Sequence, residues 1–238
     1  MGILLSQNGV GPMEEKVRAT KEASHPTTPS EVRSFLGLVG FCSRFIPDFA
    51  TIAEPLRALT RNGVEFEWTN VQEKAFQTLK EQLPEVSILA YLEKTAHTRV
   101  IVYVSPVGLT GYFSSGGEWA EPYCVLCRSL SDVERRYSQT EKESLALVWA
   151  CERFNLYLNG LPEFDLVTDH QALKTIFGPR SKPSARIKRW VLRLQPYNYR
   201  VCFVSSRNNI ADAPSHSTKI PASQRYIQDE EYVWEVTL

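Results

Sequence analysis

Hydrophobic positions change their period partway along this chain, and the change divides it. After a polar breaker at Pro26, Pro29 and Ser30, the residues Val32, Phe35, Leu36, Val39 and Gly40 recur on one face at helical spacing. Pro47 and Pro55 then cut the pattern into short helices. Trp68-Thr69 opens another helix, in which Val71, Ala75, Phe76, Leu79 and Leu83 share a face up to Pro84. From residue 98 the pattern becomes short and β-branched: 99–104, the region of Tyr112-Phe113, and 123–126 predict three strands in succession, punctuated by Gly108 and Gly111. That is the expected form of an antiparallel meander. A long helix is predicted over 140–158, with Leu145, Val148, Trp149 and Leu156 toward a core. It is followed by a strand at 164–168, helices at 171–177 and 185–195, a strand at 199–204 and a short helix at 209–215. Residues 1–12 read as a strand pair turning at Asn8-Gly9. The predicted class is α+β, a small helical unit followed by a mixed sheet with helices packed on it.

Composition narrows the functional classes. With 238 residues, 43% of them hydrophobic and 11% aromatic, the chain can build the cores of one large or two ordinary domains. Its formal net charge is zero, so attraction to nucleic acid must come from local asymmetry. Such asymmetry exists. No acid lies between Asp169 and Asp212, while Lys174, Arg180, Lys182, Arg186, Lys188, Arg189, Arg193, Arg200 and Arg207 are all basic. Arg186, Arg189 and Arg193 share a helix face opposite Ile187, Val191 and Leu194, which suits sequence-independent phosphate contacts as well as a solvated surface.

Five cysteines without regular spacing argue for a reducing, intracellular setting, with cytoplasm and nucleus not distinguished. Cys124 and Cys127 read as strand cysteines rather than zinc ligands. Met1-Gly2 with Ser6 fits the loose myristoylation pattern, yet no second membrane signal follows and no apolar run is long enough to span a bilayer. Neither a membrane nor a small-molecule cofactor is expected as a partner.

Three spaced carboxylates, Glu143, Asp169 and Asp212, fall at edges of predicted elements, where a fold can gather acids from distant segments around a hard cation such as magnesium. Each also has a plainer reading. Glu143 follows Thr140 by three residues and fits a capping box, Asp169 fits a helix N-cap, and Asp212 fits a solvated helix position. His170 reads as structural, and Trp149 and Trp190 as core.

Two sets of motifs carry a family resemblance. Ser34-Phe35-Leu36-Gly37-Leu38-Val39-Gly40-Phe41, Arg44-Phe45-Ile46-Pro47-Asp48-Phe49 and Phe66-Glu67-Trp68-Thr69 resemble the thumb region of gypsy-type long-terminal-repeat retrotransposon Pol polyproteins. Tyr137-Ser138 through Ala150, Thr168-Asp169-His170 with Leu173, Arg189-Trp190 with Leu192-Arg193-Leu194-Gln195, and Ala211-Asp212-Ala213 resemble the ribonuclease H region that follows it. The resemblance runs over about 1–217. It implies the end of a reverse transcriptase palm and linker over 1–29, a helical thumb or connection-like unit over 30–93, an RNase H-like mixed α/β domain over 94–217 and a tail over 218–238. The polymerase aspartate pair of the family would lie upstream of Met1.

Domains of this family hydrolyse the RNA strand of an RNA–DNA hybrid with four carboxylates and two magnesium ions. By the resemblance, Glu143 matches the helix glutamate, Asp169 the acid ending the fourth strand and Asp212 the acid near the last helix. The first acid belongs to a pattern like Thr-Asp-Ala-Ser-Pro-Val-Gly-Leu. Here that stretch reads Val102-Tyr103-Val104-Ser105-Pro106-Val107-Gly108-Leu109, so Tyr103 stands in place of the metal-bridging aspartate. A phenol, with a reference pKa of about 10, offers no comparable anion at pH 7. No acid lies between Lys94 and Gly117 to replace it. Ser206-Arg207-Asn208-Asn209 and Pro214 depart from the pattern too.

The implied function is a reverse transcriptase/RNase H-like fragment that binds RNA–DNA hybrid or serves a structural role, with cleavage lost or impaired and magnesium binding weakened or lost. Arg180, Lys182, Arg186, Arg189, Arg193 and Arg207 are its candidate nucleic-acid contacts, and the remaining Pol segments are implied as further partners. Two alternatives stand beside it: an active magnesium-dependent ribonuclease H, and a protein-interaction module without nucleic-acid affinity.

Overall fold

The computed structural model describes residues 3–6, 9–46, 48–83, 89, 96–116, 122–178 and 181–204. An antiparallel pair, β1 (Ile3–Ser6) and β2 (Gly9–Pro12), leads into α1 (Glu14–Lys21). α2 (Pro29–Phe41) begins where the Thr28 hydroxyl accepts a hydrogen bond from the Glu31 amide at 3.2 Å and Pro29 presets the first turn. Val32, Phe35 and Val39 are buried, as their spacing predicts. A 3-10 turn at Ser43–Phe45 and two short helices, α3 (Phe49–Ile52) and α4 (Glu54–Ala58), replace what would otherwise continue as one helix. Pro55 sits harmlessly in the first turn of α4, while Pro47 lies outside the described residues. α5 (Asn70–Gln82) starts at a Thr69/Gln72 capping box. Val71, expected on its apolar face, is 62% exposed, because the buried stripe is set by Ala75, Phe76 and Leu79 one turn further on.

The second half is a five-stranded mixed sheet. β3 (Thr98–Val104), β4 (Gly108–Ser115) and β5 (Pro122–Ser129) form the predicted antiparallel meander. After α6 (Asp132–Arg135), α7 (Gln139–Arg153) and α8 (Asn155–Leu158), β6 (Phe164–Thr168) returns parallel to β3. α9 (Ala172–Ile176) and α10 (Ala185–Arg193) precede β7 (Tyr199–Phe203), which lies parallel to β6. The strand order is β5-β4-β3-β6-β7. The helix predicted at 209–215 and the tail at 218–238 lie outside the described residues.

Strand alternation sends side chains to two different cores. Val100, Val102, Leu109 and Leu166 pack with Leu147 and Val148 of α7 and with Ile187 and Trp190 of α10. Ile101, Tyr112, Val125 and Val167, on the opposite face, join Phe45, Ile46, Phe49 and Leu56 of the helical part. Cys124 packs against the first cluster and Cys127 against the second, so the two thiols lie on opposite faces of β5 and share no ligand position.

One predicted element divides in two. The helix read as 140–158 breaks at Phe154, where the backbone leaves helical values and caps α7. The break resets the helical phase, leaving Leu156 84% exposed and burying Leu158 instead. An ionic cluster occupies the start of β6. Buried Asp165 receives Arg200 Nε at 3.0 Å and Nη2 at 2.9 Å, pairs with His97 Nε2 at 2.8 Å, and has Arg99 nearby. Burial opposes ionisation there, but the hydrogen bonds from His97 and Arg200 outweigh it and hold the carboxyl below its ordinary value.

Truncating Leu147, which is fully buried beneath the sheet, should cost about 2–5 kcal/mol. The same change at Leu156 should stay within about 0.5 kcal/mol. Urea unfolding of Leu147→Ala and Leu156→Ala checks both.

Candidate functional site

α7 begins at a capping box of Ser138 and Glu141, the serine hydroxyl accepting from the Glu141 amide at 3.3 Å and the glutamate reaching back to the Ser138 amide at 3.0 Å. The box expected at Thr140 and Glu143 is therefore displaced by two residues. That shift leaves Glu143 in the second turn, pointing inward and 2% exposed. Its Oε1 accepts from Gln139 Nε2 at 2.7 Å, while its Oε2 is buried without a hydrogen-bond partner. Burial first, and then the negative charge of Asp169, push the Glu143 carboxyl up to about 8 against the opposing Gln139 hydrogen bond.

Asp169 follows β6 on a bend, and its neighbour His170 ties the bend to α7: His170 Nε2 lies 3.0 Å from the Thr140 hydroxyl. The His170 amide also donates to Thr168 Oγ1 at 3.2 Å. Asp169 is not an N-cap, because α9 starts after Gln171. Glu143 of α7 and Asp169 of the bend after β6 are thus near enough to interact, and Asp212 lies outside the described residues.

Tyr103 lies on β3, opposite Thr110 of β4. The parallel register between β3 and β6 runs from Arg99↔Asp165 to Ile101↔Val167, and both Tyr103 and Asp169 lie beyond its last paired row, toward the same end of the sheet. Glu143 and Asp169 are the described carboxylates that could hold a magnesium ion. Among the described residues no group of three or more acidic, cysteine or histidine side chains is placed to hold a metal.

The basic helix α10 divides its charges. Arg186 Nη1 donates to Glu141 Oε1 at 2.8 Å and stacks 4.3 Å from the Tyr137 ring centre. Arg193 grips Glu152 with two bonds of 2.7 and 2.6 Å. These pairs pin both ends of α10 along α7. Lys182, Lys188 and Arg189 are exposed and have no ion-pair partner among the described residues, while Arg180 and Arg207 lie outside them. Gln139 was missed as a partner of Glu143 because the predicted helix starts at 140; the four-residue spacing on one helix is the signal that could have found it. The Thr140–His170 tie joins distant segments and left no signal in the sequence. No helix among the described residues is long and apolar enough to cross a membrane.

Comparison with known proteins places this geometry. The family described as the RNase H-like domain found in reverse transcriptase matches residues 88–197. The Drosophila melanogaster Pol polyprotein from transposon gypsy is 32% identical over 228 residues, covering 90% of this chain and 22% of its own length. The Pol polyprotein from transposon 297 of the same fly is 31% identical over 217 residues, covering 90% of this chain and 20% of that protein. The chain thus spans about a fifth of these curated relatives. Among solved structures, the foamy viral protease-reverse transcriptase in complex with an RNA/DNA hybrid superposes with a TM-score of 0.68 at 20% identity, over 100% of this chain and 31% of that one. The same enzyme's dRH form with double-stranded DNA gives a TM-score of 0.70 at 20% identity, over 87% and 37%. At that identity the likeness concerns the fold. Sequence relationship and fold agree: the chain belongs with the gypsy-type retrotransposon Pol polyproteins and carries the RNase H-like domain of reverse transcriptase.

Proposed function

We propose that this chain is an RNA–DNA hybrid-binding, RNase H-like module whose magnesium-dependent cleavage is lost or strongly impaired. The observation that carries this reading is Tyr103, which stands in the stretch 102–109 where the family's sequence pattern calls for a metal-bridging acid. Magnesium, when bound in such a centre, supplies charge stabilisation and a nucleophilic hydroxide. Glu143 and Asp169 are the described residues that would hold it, Glu143 through its unpaired Oε2. A tyrosine supplies no bridging anion, so binding and positioning of the hybrid remain as the function. The foamy viral enzyme, similar in fold, has been captured on an RNA/DNA hybrid, which supports the substrate class. As a retroelement-type protein, the chain would act inside the cell.

Cleavage of a labelled RNA–DNA hybrid in magnesium or manganese tests the reading. The chain itself should not cut, Tyr103→Asp should gain cleavage, and Tyr103→Asp combined with Asp169→Asn should lose it again. Cleavage by the unaltered chain that Asp169→Asn abolishes would establish an active ribonuclease H instead.

Phosphate contacts on and just before α10 fall to the cations not already paired, Lys182, Lys188 and Arg189. Replacing Lys188 and Arg189 together by alanine should reduce the slope of log affinity against log salt by about 0.7–0.9 for each phosphate no longer neutralised. Arg193→Ala should leave that slope unchanged and cost at most about 1 kcal/mol of stability, since it removes only an exposed ion pair. Hybrid-binding titrations at several salt concentrations separate the two outcomes, and no salt-dependent binding by any form would favour a protein-interaction module.

Glu143 also makes a pH prediction. Its carboxyl titrates near its ordinary 4.5 when unfolded and near 8 when folded, so the folded state keeps a proton the unfolded state would release. The associated stability is fully present below about pH 4.5 and is lost as pH rises through 8. Glu143→Gln should therefore flatten the decline in unfolding free energy between acidic and mildly alkaline buffer, by on the order of a few kcal/mol. Urea titrations of both proteins in EDTA measure the difference.

A further inference from the structure

The outer face of the sheet, turned away from α7, is covered by the helical part of the same chain. Ile101, Tyr112, Val125 and Val167 are each at most 6% exposed within the cluster that holds Phe45 and Phe49. Close approach is built into the contact: a Cβ on Gly108 would stand 2.8 Å from the Ala50 Cβ. A polar seam surrounds it. Thr110 Oγ1 donates to Asp48 Oδ1 at 3.3 Å, and Thr51 Oγ1 donates to Ser105 Oγ at 2.7 Å. Arg135 Nη2 donates to Glu54 Oε1 at 2.7 Å, and Arg57 bonds the Ser129 hydroxyl.

Tyr103 belongs to this face. It alternates with Val102 and Val104, which turn to the α7 side, and its partly buried ring packs against the outer cluster. Its cross-strand neighbour is Thr110, the residue that Asp48 of the helical part reaches. Side chains directly opposite in an antiparallel pair have Cβ atoms about 4.5–5.5 Å apart. The ring therefore stands at the rim where the helical part meets the sheet.

We infer that Tyr103 is a docking residue: the position at which related nucleases place a metal-bridging acid serves here to hold the helical part against the outer face of the sheet. An aromatic side chain buries about 150–250 Å² when enclosed. An aspartate in its place would leave most of that contact open and set a charge at an apolar rim. This inference stands apart from the cleavage reading, since packing is measured without metal or substrate.

The test is amide hydrogen exchange, read by mass spectrometry on the full chain in EDTA. Tyr103→Phe keeps the ring and should exchange as the unaltered protein does. Tyr103→Asp should speed exchange in peptides of α3, α4 and α5 at least tenfold more than in α10, which lies against the other face. Gly108→Ala, which wedges the same contact against Ala50, should show the same pattern, and adding Ala50→Gly should partly reverse it. If Tyr103→Asp does not fold, Tyr103→Thr, which retains strand preference without the ring, is judged by the same criterion. Native exchange rates in α3 to α5 for the ring-less variant, or acceleration no greater there than in α10, would overturn the inference.

Discussion

β3 is the strand on which the rest of the molecule depends, because all four of its sides are occupied. It pairs antiparallel with β4 and parallel with β6, turns valines toward α7, and turns Ile101 and Tyr103 toward the helical part. A strand enclosed in this way has a fixed register, since a one-residue slip would exchange its two faces. That register aligns Arg99 with Asp165 and Arg200. The ionic cluster at the start of β6 is therefore set by a ladder of backbone hydrogen bonds.

Much of this arrangement was legible because it is local. The apolar spacing of α2 and α5, the β-branched runs of β3 and β6, and the basic character of α10 each depend on residues close in sequence, where a side chain's direction follows from its position. The family motifs then located Glu143 and Asp169 within those elements. What spacing did not reveal depends on partners far along the chain. Arg186 and Arg193 looked equivalent to Arg189 until α7 supplied Glu141 and Glu152. Leu156 looked buried until the backbone left the helix at Phe154. The capping box of α7 was read two residues late because Ser138 and Thr140 both precede a glutamate by three, and only folding selects between two valid caps.

The candidate acids Glu143 and Asp169 are positioned by ties within and between neighbouring elements. Glu143 is held by Gln139, and the bend carrying Asp169 is tied through His170 to Thr140. These supports fix geometry, and they leave Glu143 Oε2 buried without a hydrogen-bond partner.

The apolar outer face of the sheet limits how the chain can be shortened. Ile101, Tyr112, Val125 and Val167 form a contiguous oily surface once the helices over them are removed. Proteins that expose such patches associate with one another or aggregate. Shortening the chain through those helices would therefore expose the outer face of the sheet, although the helices contribute none of the candidate acids.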